Sequence, residues 1–179
     1  MPLEDLPQLN KAGLCYLANP MLKRAHVKIP YSAEQVDEFT KCALDPMYFI
    51  ENYVKIVSLD HGTVLFKMYP YQKSMLEGFV NNRFNICMLA RQMGKTTIVA
   101  AYLLHLICFT KDYQIGVLAN KGDTSREILS RLKLMFEQLP WFLKPGVREW
   151  NKGSIILGNG SKIISSGTSS AGVRGISAN

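Results

Sequence analysis

At 179 residues, with 47% apolar and 20% charged residues, the chain is long enough for one core-forming domain with a small appendage, and too apolar for disorder or for a collagen-like, mucin-like or coiled-coil chain. Its formal net charge of +7 favours an anionic partner. That charge is uneven: residues 1–60 carry six Lys/Arg against eight Asp/Glu, residues 61–179 carry 15 against six, so an anion site is sought after His61.

In chain order, the first 60 residues read as short helical pieces separated by Pro20, Pro30 and Pro46. Ser32 caps a helix over 33–44 with Val36, Phe39, Thr40 and Ala43 at helical spacing, and a second helix covers about 46–55. Val64-Leu65-Phe66 reads as a short strand, and Tyr69-Pro70-Tyr71-Gln72 opens a helix through Asn81. After Asn82 the pattern becomes strand, helix, strand, helix: the apolar run 85–89, a helix over 95–109 that is apolar nearly all round, a strand over 114–119, and a helix that the capping-box spacing Thr124-Ser125-Arg126-Glu127 starts. That order predicts a parallel sheet with right-handed crossovers. Segments 154–157 and 161–165 flank Gly158-Asn159-Gly160, a hairpin signal, and a small polar stretch follows.

Cys15, Cys42, Cys87 and Cys108 form no Cys-x-x-Cys pair, and His26, His61 and His105 show no i,i+4 pairing, so buried thiols and no side-chain metal site are expected. The start Met-Pro-Leu-Glu-Asp has neither a basic nor an apolar leader region, and the longest apolar stretch falls short of the ~20 residues of a membrane span. The expected compartment is reducing and cytosol-like.

The chemistry is concentrated in Leu89-Ala90-Arg91-Gln92-Met93-Gly94-Lys95-Thr96-Thr97, between a predicted strand and a predicted helix. A phosphate needs backbone N–H donors, a positive helix end and a mobile cation, and a strand-loop-helix ending in Gly-Lys-Thr supplies all three. Gly94 allows close backbone approach, Lys95 reaches the β/γ-phosphates and Thr96 offers a hydroxyl to Mg²⁺; Gln92, Met93 and Thr97 complete the loop. Leu89 stands where the P-loop pattern asks for its first glycine. Arg91 either senses γ-phosphate charge from within the loop or is a solvated loop arginine.

At this loop the chain resembles the large terminase subunit of tailed bacteriophages, whose P-loop lacks the first glycine and carries a basic residue. The resemblance extends to Tyr69-Pro70-Tyr71-Gln72, similar to an adenine-recognition Gln motif, and in order to Leu118-Ala119-Asn120-Lys121-Gly122, residues 147–153, Asn159-Gly160-Ser161 and Val173-Arg174-Gly175. It covers about 65–179 well and 1–60 loosely. It implies an α/β P-loop ATPase domain over 61–179, with flanking helices and a β-hairpin near its end, behind a helical appendage over 1–60. It implies ATP and Mg²⁺ as cofactors, with Gln72 on the base, Tyr71 beside it and Arg174 as a finger toward a neighbouring subunit's nucleotide. The implied activity is ATP-driven translocation of double-stranded DNA into a procapsid, in the infected cell's cytoplasm. The implied partners are the portal protein, the small terminase subunit and further copies in a ring, the fragment itself being expected to be monomeric.

Hydrolysis also needs a strand-end Asp for Mg²⁺ and a Glu for the attacking water. Asp60 and Asp123 are poor candidates, and in the resembling family the acidic strand follows the Arg-Gly element, so it is expected beyond Asn179 and hydrolysis by this stretch is expected to be weak. Two other readings stay open at this level: a nucleotide-binding or regulatory module of another P-loop protein, such as a helicase-like ATPase, and a DNA-binding module. Against the latter, Arg126, Arg131, Lys133 and Lys144 read as a solvated helix face.

Overall fold

The computed structural model describes residues 11–58 and 60–167. Its N-terminal part runs α1 (Lys11–Leu14), a hairpin of β1 (Cys15–Tyr16) and β2 (Asn19–Lys23), α2 (Ala33–Leu44), α3 (Pro46–Tyr53), a hairpin of β3 (Lys55–Ser58) and β4 (Gly62–Leu65), and α4 (Pro70–Asn81). Ser32 caps α2 as expected, in a capping box with Gln35. Asp45 then ends one helix and starts the next: its N–H donates to the Lys41 carbonyl, while its carboxylate accepts from the N–H groups of Met47 and Tyr48. Glu38 ties the pair together, accepting from the hydroxyls of Tyr48 at 2.6 Å and Tyr53 at 2.7 Å, which holds its carboxyl below the usual range. This part is therefore helical at α2 and α3, and also carries two hairpins that helical spacing did not announce.

The second part comprises α5 (Lys95–Phe109), β5 (Gln114–Ala119), α6 (Gly122–Gln138), a 3₁₀ turn at Trp141–Leu143, β6 (Val147–Trp150), β7 (Ser154–Leu157) and β8 (Lys162–Gly167). The last three strands join β5 in one sheet of order β5-β8-β7-β6. β5 and β8 are parallel, in register from Gln114–Lys162 to Ala119–Gly167, while β7 pairs antiparallel with both β8 and β6. Ile115, Val117, Ile155, Leu157 and Ile163 point into one core with α5 and α6. α5 is buried around most of its circumference, at Ile98, Ala100, Ala101, Leu104, His105, Ile107 and Cys108, as its uniform apolarity requires. The N-terminal part shares this core through Leu22, Phe49 and Ile50, and Arg24 bridges to Val147.

Four expectations need correction. Residues 85–89 are not a strand: the segment 84–90 has no regular secondary structure, with Ile86 94% and Met88 92% exposed. A strand needs a hydrogen-bonding partner at its edge, and among the described residues none runs beside it. The parallel-sheet prediction accordingly reduces to the single pair β5–β8, because the 158–161 turn forces β7 to run antiparallel. Cys87, on the same segment, is exposed, unlike the buried Cys42 and Cys108. Fourth, α6 begins at Gly122, not at a Thr124 cap: the Thr124 N–H donates to the Lys121 carbonyl and Asp123 pairs with Arg126 inside the first turn.

Candidate functional site

The loop 91–94 leads into α5 with Gly94 as N-cap, at φ +69° and ψ 18°, a left-handed conformation suited to glycine. Gln92 also has a positive φ, 63°. The Gly94 carbonyl accepts from the N–H groups of Thr97 and Ile98, which starts the helix. The N–H groups of Lys95 and Thr96 then have no intrahelical acceptor, as in every first helical turn. No side chain among the described residues caps this end and no acidic residue stands in the first turn, so the first turn supplies no carboxylate to the positive end of the dipole.

Lys95 curls back over the loop, its Nζ donating to the carbonyls of Leu89 at 2.7 Å and Ala90 at 3.2 Å. Arg91 is exposed, and Thr96 and Thr97 are half-buried. From α4, Tyr71 and Gln72 reach the same loop: the Tyr71 hydroxyl donates to the Met93 carbonyl at 3.0 Å, and Gln72 Nε2 donates to it at 3.4 Å. Gln72 Oε1 accepts from the Tyr69 N–H. Gln72 is 3% exposed, and a Cβ at position 94 would stand 2.6 Å from its Nε2. The motif one helix upstream thus abuts the glycine that caps α5, and the rings of Tyr69 and Tyr71 stack beside it, 5.7 Å apart and 8° from parallel.

The structure therefore brings together Tyr71, Gln72, Arg91, Gln92, Met93, Gly94, Lys95, Thr96 and Thr97; Arg174 lies outside the described residues. Asp60 sits in the exposed β3–β4 turn and Asp123 is engaged with Arg126. No group of three or more His, Cys, Asp or Glu among the described residues is placed to hold a metal.

Sequence reasoning missed Arg131, which reaches from α6 to Thr97, Nη1 to Oγ1 3.4 Å, while pairing with Glu127 at 2.8 Å. Only the packing of α5 on α6 reveals it. Lys144 corrects the solvated-face reading outright: it follows the 3₁₀ turn, is 2% exposed, and donates to the carbonyls of Met21 and Glu137. Lys133 lies over the Trp150 ring at 5.0 Å and donates to the Asn151 carbonyl.

Fold and site define a mixed α/β protein whose candidate site is a Gly-Lys-Thr loop opening a buried helix. The family model described as terminase large subunit, T4likevirus-type, N-terminal, matches residues 86–179, more than half of the chain, and the chain belongs to this family. Membership assigns it to phage DNA packaging, with DNA and the packaging complex as its general partners. Among the described residues no helix is long and apolar enough to cross a membrane.

Proposed function

We propose that this chain is the ATP-binding part of a phage packaging motor that couples ATP hydrolysis to movement of double-stranded DNA into a procapsid. The observation that carries the reading is the N-terminus of α5: a left-handed Gly94 cap, a first turn without acidic residues, and Lys95 poised over the loop. These features fit a polyphosphate. The N–H groups of Lys95 and Thr96 would face phosphate oxygens, Lys95 Nζ would exchange two neutral carbonyls for β/γ-phosphate charge, and Arg91 would add a second cation. The Thr96 hydroxyl is the group offered to Mg²⁺, which when bound neutralises charge on the phosphates. Gln72 keeps one N–H and one lone pair beyond its bonds to Met93 and Tyr69, the pattern that an adenine edge complements, and Tyr71 stands beside it.

Neither Asp60 nor Asp123 touches the loop, so weak turnover by this stretch is part of the proposal, as are Arg174 in the neighbouring subunit's site, a ring on the portal, contact with the small terminase subunit and residence in the infected cell's cytoplasm. The test is titration with a fluorescent ATP analogue. Lys95→Ala removes a charge-assisted contact of about 1.5–3 kcal/mol, so affinity falls about 10- to 100-fold. Unchanged affinity would overturn the assignment.

A further inference from the structure

At the end of α5 opposite the loop lies a cavity of about 440 Å³, between β2, α2, the last turn of α5 and the segment after the 3₁₀ turn. Among the described residues its lining includes three lysines, Lys23, Lys111 and Lys144, and no carboxylate. Lys23 Nζ donates to the Tyr31 hydroxyl at 3.0 Å and the Trp141 carbonyl at 3.4 Å; Lys144 Nζ donates to the carbonyls of Met21 at 2.9 Å and Glu137 at 2.8 Å. Both ammonium groups therefore rest on neutral acceptors. Burial lowers each to about 8, which leaves them mostly cationic at neutral pH. The Glu137 carboxylate partly offsets the burial of Lys144, whereas no carboxylate among the described residues does so for Lys23; a buried cation held on neutral acceptors is costly, and an anion in the cavity relieves that cost. The remaining walls are largely apolar, with the rings of Tyr31, Phe39, Phe109 and Phe142.

We propose that this cavity is a binding site for a small amphipathic anion, an aromatic carboxylate being its simplest member. The three lysines select the charge, the rings select a flat apolar body, and the volume falls in the range of about 300–1,000 Å³ typical of small-molecule sites. The site is separate from the nucleotide loop, since the 15 residues of α5 hold the two ends about 22 Å apart. It also joins the N-terminal part to the helix that carries that loop, so its occupant touches both.

The experiment titrates the 179-residue chain with 2-naphthoate and, in parallel, with neutral 2-naphthamide, by calorimetry. The carboxylate is expected to bind with 1:1 stoichiometry, at least about 10-fold tighter than the amide, as one charge-assisted contact provides. Gln35→Glu places a carboxylate in the lining while keeping the Ser32 capping box, and is expected to weaken 2-naphthoate about 10-fold without unfolding α2. Lys95→Ala is expected to leave that affinity unchanged. Equal affinity for acid and amide, no binding into the millimolar range, or indifference to Gln35→Glu would each overturn the proposal. Loss of binding in Lys95→Ala would overturn it by placing the anion at the α5 N-terminus.

Discussion

At its C-terminal end α5 hands its last carbonyls to a side chain, whereas at its N-terminal end the first N–H groups face an open loop. Asn159, from the β7–β8 turn, donates through Nδ2 to the carbonyls of Ile107 at 2.8 Å and Thr110 at 3.1 Å. Around that end Phe109 meets the edges of Phe49 and Phe39, each at 5.1 Å, and His105 lies between Phe49 and Phe109. At the other end no side chain among the described residues caps Lys95 or Thr96, and the approach runs along mostly exposed chain without a strand partner. Both ends carry groups that the helix cannot satisfy itself. At one end the helix's own backbone groups are satisfied by the protein, which contributes stability; at the other they are left available to a ligand.

That contrast predicts changes at the closed end that reduce stability while sparing nucleotide affinity, the reverse of Lys95→Ala. The largest is Phe49→Ala: a fully buried ring packed on Phe109 and His105 is lost, and chemical denaturation should show about 3–5 kcal/mol less stability. A parallel loss of nucleotide affinity at temperatures where the variant is folded would mean that the two ends are coupled. Asn159→Ala comes next, leaving the Ile107 carbonyl without its side-chain donor while Ser161 Oγ still serves Thr110, at a cost of about 1–3 kcal/mol in the same measurement.

The smallest effect is a pH dependence. His105 Nε2 lies 2.9 Å from the Cys42 carbonyl, which only accepts, so Nε2 carries the proton, and Nδ1 is buried with no hydrogen-bond partner among the described residues. Burial lowers the His105 pKa below its ordinary value. The unfolded chain then binds the proton more readily, so stability is full above about pH 6.5 and falls as pH drops toward the folded-state pKa, by at most about 1.4 kcal/mol per unit. His105→Leu should flatten the part of the profile between pH 7.5 and 5.5 that this residue contributes. An identical slope in wild type and variant would remove His105 from the account.

Much of the closed half was legible in the sequence because its signals are local. Fifteen residues apolar on every side between a glycine and a β-favouring segment define α5, with the bounds 95–109 that were expected, and Gly158-Asn159-Gly160 between two short apolar runs defines the β7–β8 hairpin. The grouping of the 91–97 loop with Tyr71 and Gln72 was also foreseen, though from a motif and a resemblance, since nothing local connects Gln72 to Met93. The start of α6 was misplaced because a Thr-x-x-Glu spacing is also compatible with positions inside a first turn.

The sequence by itself thus determined where the turns, caps and buried helix lie and which loop is suited to an anion, because those depend on residues within a few positions of one another. Tertiary structure alone decided the rest. Whether 85–89 pairs depends on a partner strand being within reach, whatever its own apolarity. Whether Lys144 is solvated depends on the carbonyls of Met21, 123 residues away, and of Glu137 closing over it. Exposure and pairing are properties of distant chain segments brought together, and no local pattern encodes them.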